Sequence, residues 1–210
     1  MQRLHLALAL CVALGACNTD PSKGKPQAAV AAASAEAPLQ ATQGGSTYSF
    51  SNDGSTLSFV GAKVTAKHEG TFASFKGTVT VVDNDPTKSS VRTEIDVASI
   101  TVDPAKLNNH LKSPDLLDVA QFPKATFVST SIRPGGDKGA THVISGNFTL
   151  HGVTKSLSFP AKIVIAPEAV DVESEFGINR KDFGVVYPGM PDDLIKDEVL
   201  IKIKAHAKKG

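Results

Sequence analysis

The stretch "AVDVESEFGINRKDFGVV", residues 169 to 186, opens as a strand and breaks at a cluster of charges. Val170, Val172, Phe176 and Ile178 alternate with Asp171, Glu173 and Glu175. Side chains on an extended backbone point to opposite faces in turn, so this pattern predicts an antiparallel strand with one dry and one wet face. Arg180, Lys181 and Asp182 then follow between Phe176 and Phe183, in a chain with only 6% aromatic residues. Three readings are open for that cluster: a catalytic site, a mouth that grips a charged ligand, or a structural corner.

The period of two recurs. It runs through "TLSFVGAKV" (56–64), through Val91, Ile95 and Val97 set against Arg92, Glu94 and Asp96, and through "VLIKIKAHA" (199–207). Further strand-like runs cover 70–75, 77–82, 124–132, 142–150 and 155–165, and turn signals such as Asn52-Asp53-Gly54, Asp83-Asn84-Asp85-Pro86 and Pro134-Gly135-Gly136 separate several of them. Eight or so strands without long helices leave a sandwich or a closed barrel. Asp103-Pro104 and Ser113-Pro114 each read as an N-cap followed by proline, predicting short helices near 104–111 and 114–119. One helical excursion among strands fits a barrel with a lid better than a sandwich.

The N-terminus has a different character. "MQRLHLALALCVALGAC" combines one Arg, an apolar run and the small-residue stretch Leu14-Gly15-Ala16 before Cys17, the layout of an export signal. Leu-Gly-Ala-Cys resembles the bacterial lipobox, which implies a signal peptide over 1–16 and lipidation of Cys17, anchoring the protein to a membrane. Three acyl chains would hold it there, whereas one gives marginal binding at roughly 0.8 kcal/mol per buried CH₂. Asn18, rather than Asp, follows the cysteine, so the expected location is the periplasmic side of the outer membrane. Residues 17–46 are rich in Ala, Ser, Pro, Gln and Gly and read as a lipidated terminus and flexible tether, with a weak helical tendency over Ala28 to Ala37. The folded domain is then 47–210.

Composition and motifs exclude several functions. Cys11 and Cys17 both lie before that domain, which therefore has no disulfide, thiolate metal site or cysteine nucleophile. A formal net charge of +1, with no basic run beyond Lys208-Lys209, argues against nucleic acid. Ser22-Lys23-Gly24-Lys25 matches S-x-x-K, but a tether offers no fixed base or oxyanion site. His110 and His151 lack a second histidine at helical spacing, and Asp192, Asp193, Asp197 and Glu198 do not follow a calcium-loop spacing, so no metal and no catalytic residue is expected.

Four ordered segments, "NNHLKSPDLLDVAQFPKATF" (108–127), "GNFTLHGVTKSLSFP" (146–160), "FGINRKDFGV" (176–185) and "PDDLIKDEVLIKI" (191–203), together resemble the YceI-like family over about Tyr48 to Ala207. The resemblance implies an all-β, eight-stranded antiparallel, lipocalin-like barrel with one or two short helices, enclosing a long apolar tunnel. In some members that tunnel holds a polyisoprenoid, an isoprenoid quinone or another long amphipathic lipid, so a bound prenyl lipid or quinone is the expected partner and no enzymatic activity is expected. Small residues beside large ones at Ala125, Phe127, Ser129 and Ser131 leave room inside such a barrel. Phe127, Phe176, Arg180 and Phe183 are the candidate ligand contacts, with Arg180 either meeting a head group at the mouth or pairing with a carboxylate at a corner. Two alternatives stand beside carriage, storage or sequestration of lipid: a barrel filled by its own side chains that docks an envelope partner, and a scavenger of hydrophobic toxins such as antibiotics. The oligomeric state is not legible.

Overall fold

The computed structural model describes residues 20–36, 39 and 45–210. The signal segment and Cys17 fall outside the described residues. In chain order the strands begin with β1 (Ala29–Ala32), β2 (Ser46–Ser51), β3 (Thr56–Ala62), β4 (Lys67–Phe72) and β5 (Phe75–Val82). They continue with β6 (Asp85–Asp96), β7 (Ile100–Val102), β8 (Lys124–Pro134), β9 (His142–Leu150) and β10 (Val153–Ile165). β11 (Ala169–Asn179), the two-residue pair β12 (Gly189–Met190) and β13 (Asp193–Leu194), and β14 (Glu198–Lys209) complete the set.

Eight of these close a ring by antiparallel pairing in the order β2, β5, β6, β8, β9, β10, β11, β14 and back to β2. Closure rests on β11, which pairs β10 on one side and all eleven of its residues with β14 on the other. That is why the alternation seen in 169–178 has a wet outer face and a dry inner one. The fold is therefore a closed barrel and not a sandwich.

Three walls of the barrel are two strands laid end to end. β2 and β3 both pair with β14, and β4 pairs β3 where β5 pairs β2. Asn52-Asp53-Gly54, expected to separate two strands by a turn, instead kinks one wall without reversing it, with Gly54 at φ +87°. β6 passes into β7 through a 3-10 turn, Val97–Ser99, whose first residue is capped by the Asp96 side chain accepting from the Ala98 N–H. The result is a barrel in which β3, β4 and β7 extend three walls beyond β2, β5 and β6.

This extended, upper end carries the helical excursion. α1 (Ala105–Lys112) forms, but its N-cap is Pro104, with no side-chain cap, rather than Asp103. The second expected helix, 114–119, is a series of turns. The N–H groups of Leu117 and Val119 donate back to Leu111 and Lys112 at the end of α1, so no new i to i−4 ladder starts.

The N-terminal segment corrects the tether expectation. Residues 20–36 lie on the barrel, and β1 is an antiparallel strand on β10, with Ala29 opposite Ser158 and Ala32 opposite Lys155. β10 and β11 pair only over 162–165 and 170–173 before diverging. The segment fills the gap they leave: Ala28 N–H donates to Gly177 O at 2.9 Å and Gly177 N–H to Pro26 O at 2.9 Å. Backbone pairing to two open strand edges makes this stretch a strand rather than the helix that alanine content suggested. Beyond β1, Ser34 exchanges hydrogen bonds with Asn147 and Leu39 N–H donates to Ser129 O, so the strap crosses the outside of β9 to β8.

Candidate functional site

The barrel encloses a cavity of about 740 Å³. Its wall is built by the inward members of each alternating strand: Phe59, Phe75, Ile95, Phe127, Ile144, Phe159, Phe176, Val199, Ile201 and Ile203 among them. Such a volume lies within the range of about 300–1,000 Å³ typical of small-molecule sites.

Local sequence explains why this bore stays open. Phe59 lies opposite Gly70 and Phe50 opposite Gly77, and a Cβ on either glycine would come within 2.5 and 2.1 Å of the facing ring. Each ring lies over a bare stretch of backbone on the facing strand, in space that any Cβ there would take. Ala125, Ala205 and Ala207 also line the cavity, contributing little volume. On β8 a register shift between Ser129 and Ser131 turns the alternation over, so that Ile132 is buried in the core. Ser131, expected to face inward, is only half-buried and does not line the cavity.

The two ends differ. Tyr48, Val79, Val81, Val170 and Ala207 pack together at the lower end, where the Tyr48 hydroxyl donates to Pro167 O at 3.2 Å. At the upper end Leu107 and Leu111 of α1 complete the apolar lining, and the polar side chains Lys63, His68, Lys106, His110, Tyr187, Asp193 and Lys196 ring the opening. His110 contacts Asp115 at 3.0 Å and meets the Tyr187 ring edge-on, with centroids 5.1 Å apart, joining α1 to the loop 184–197. The cavity is thus an apolar tube with a polar mouth.

The four candidate contacts separate here. Phe127 and Phe176 line the cavity, and Phe159 joins them, stacked on Phe176 at 4.4 Å and tilted against Phe127 at 5.6 Å. Phe183, fully buried, packs edge-on to Phe148 at 5.2 Å and is not part of the cavity wall. Arg180 reaches the mouth, yet it is 6% exposed and its donors are committed to the protein. Nε donates to Lys196 O at 3.1 Å, Nη1 to Val185 O at 2.6 Å, and Nη2 to Asp197 Oδ1 at 3.1 Å and Ile195 O at 3.5 Å. Burial pulls the guanidinium pKa down while Asp197 pushes it back up. Asn179 caps the 3-10 turn Arg180–Phe183 by accepting from Lys181 N–H, which is the corner geometry.

Elsewhere at the mouth, the Asp193 carboxylate accepts from the Lys63 ammonium and from Thr65, and these bonds hold its pKa below the usual value. Among the described residues no three His, Cys, Asp or Glu side chains are grouped to hold a metal ion. The residues that sequence reasoning missed are Phe59, Phe159, Leu107, Leu111 and Tyr187. The first two are readable only from strand register, and the others only once α1 and the 184–197 loop are seen to fold over the opening.

A model of the YceI-like domain matches residues 48–207. The chain belongs to the YceI-like family. Among curated YceI-like relatives, Protein YceI of Salmonella arizonae and Protein YceI of Salmonella newport are each 37% identical over 122 residues, 55% of this chain. The match spans 62% of those relatives, less than two thirds of their length. Among solved structures, Burkholderia cenocepacia BcnA superposes with a TM-score of 0.66 at 25% identity, covering 75% of this chain and 98% of that one. A polyisoprenoid binding domain from Saccharophagus degradans superposes with a TM-score of 0.61 at 16% identity, covering 78% and 98%, a likeness of fold.

Proposed function

We propose that this YceI-like barrel binds one long apolar or amphipathic lipid, of the polyisoprenoid or isoprenoid quinone type, for carriage, storage or sequestration in the bacterial cell envelope. The observation that carries this reading is the open bore: a filled barrel serving only as a docking module has no reason to hold about 740 Å³ of apolar space. Likeness to a polyisoprenoid binding domain supports the same ligand class. Each buried methylene contributes roughly 0.8 kcal/mol before ordering costs, so the site selects for length and apolarity.

The polar end of the ligand meets the mouth. Lys106 and Lys196 form no ion pair among the described residues and, with His68, offer donors to a head-group oxygen. Arg180 holds the corner and does not reach out to the head group. In this reading Cys17 is lipidated after removal of residues 1–16, and the barrel faces the periplasm from the outer membrane.

Displacement of a fluorescent fatty probe by prenyl alcohols of increasing length tests the binding directly. Affinity should rise with each isoprene unit until the bore is full and then level off. Affinity independent of length is incompatible with a tube that encloses the chain.

A further inference from the structure

Five large apolar side chains stand exposed among the described residues: Val64, Val164, Val186, Met190 and Leu194. Four of them gather at the mouth. Val64 lies in the turn between β3 and β4, and Val186, Met190 and Leu194 lie in the loop 184–197. These two loops are fused into one rim, because Val64 N–H donates to Leu194 O at 3.1 Å, Lys196 N–H to Ala62 O at 2.8 Å, and Lys63 pairs with Asp193. Of the five, Val164 lies towards the closed end, next to the last residue of β10. Val64 and Leu194 are joined directly, so the exposed apolar side chains at the opening are grouped and not scattered, which is the arrangement of an interaction surface.

Charge restricts the kind of partner. Over the mouth segments 62–68, 103–119 and 180–198 there are seven lysines and arginines and eight aspartates and glutamates. Asp193 and Asp197 are internally paired, the first with Lys63 and the second with both Arg180 and Lys181. A rim this balanced has no field for a polyanion or polycation and suits the zwitterionic head-group layer of a bilayer.

The strap supplies an independent observation. Lys67, the first residue of β4 at this rim, donates from Nζ to Asp20 O at 3.4 Å, which places the start of the described chain at the mouth end. Cys17 is three residues earlier, a reach of about 10 Å. A lipid carried on Cys17 would thus be joined to the rim by three residues of chain.

We propose that the mouth rim, with Val64, Val186, Met190 and Leu194 at its tips, docks directly on the bilayer, so that cargo passes between membrane and cavity without crossing water. Placement of the anchor rests on the lipoprotein reading above; the apolar rim does not. Cys17 is the mature chain's one cysteine, so Leu194→Cys or Asp137→Cys gives a single free thiol for a nitroxide label, at the rim or at the closed end, when acylation occupies the Cys17 sulfur; where the intact mass shows Cys17 unmodified, Cys17→Ser is added. The full mature protein is mixed with vesicles of phosphatidylethanolamine containing a minor share of phosphatidylglycerol, and label collisions with oxygen are compared with those with a water-soluble nickel chelate. The oxygen-to-nickel ratio should rise at position 194 and stay flat at 137, and Val64→Ser with Val186→Ser should diminish the rise without lowering the melting temperature. No rise at 194, an equal rise at both positions, or immobilisation at 194 by envelope protein but not by vesicles overturns the proposal. The intact mass reports separately whether Cys17 is acylated, so an acylated protein with a flat response refutes docking while leaving the anchor in place.

Discussion

Arg180 and Asp197 form an ion pair in which only the arginine is deeply buried: the side chains are 7% and 39% exposed, and Nη2 lies 3.1 Å from Oδ1. The guanidinium also serves the carbonyls of Val185, Ile195 and Lys196, so one side chain ties the end of β11 to both limbs of the mouth loop. Lysine presents a point charge and cannot satisfy this planar set.

Removal of Arg180 should act on stability first. Arg180→Met keeps the stem but orphans these carbonyls, and the expected loss is about 3 kcal/mol, the lower end for a broken buried pair because Asp197 keeps Lys181. Chemical denaturation measures it. In the folded fraction, binding of a fluorescent fatty probe should change less than stability does; a selective loss of binding with unchanged stability would return Arg180 to the head-group role.

Gly177 is the keyhole for the strap. A Cβ there would fall 2.4 Å from Gln27 Oε1, within a backbone exchange that ties 26–28 to β11. Gly177→Val must push the Gln27 side-chain amide aside, breaking its bond to Ser22 Oγ, and should therefore loosen the turn at 20–25 at a cost of about 1 kcal/mol. Limited proteolysis reads this as early cleavage within the strap, which the parent protein resists.

Glu198 makes the mouth sensitive to pH. Burial raises its pKa, and repulsion from Asp20, Asp182 and Asp197 raises it further. A carboxyl whose folded pKa lies above its unfolded value destabilises the fold above the folded pKa, and the penalty disappears as pH falls through that value towards the unfolded one. Glu198→Gln should raise the melting temperature at pH 7, with the difference shrinking as both proteins are acidified towards pH 4. An unchanged melting temperature at pH 7 would mean that solvent screens the strain.

Filling the bore should separate binding from folding. Ala205 lines the cavity from β14, opposite Val172 on β11. Ala205→Phe places a ring in space that is already open, so stability should change by less than the roughly 1–3 kcal/mol usual for overpacking, while probe binding falls at least tenfold. Equal loss of both would show that the space is not available to a ligand.

The alternation of 169–178 and 199–207 was enough to predict two half-buried antiparallel strands, because each residue there has one unambiguous face; that the two pair with each other is seen only in the structure. The strap was not legible: 26–32 carries almost no large apolar side chain, and it becomes a strand only through backbone bonds to edges that tertiary folding exposes. One signal was present in Gly177, a glycine in the middle of a strong strand, which marks close approach by another backbone. Phe127 and Phe176 could be assigned inward from period alone, whereas Phe183 could not be separated from them, since a 3-10 turn follows neither period. The β8 bulge likewise misdirects any count from Ser129 to Ser131.

Native mass spectrometry of the mature chain, purified from its own envelope and retaining residues 20–39, tests the central claim most directly. Solvent extraction and lipid analysis then identify any adduct. A stoichiometric adduct of prenyl or quinone mass, abolished by Ala205→Phe, is expected. A clean apo mass, with no uptake of added prenyl lipids, would contradict the claim.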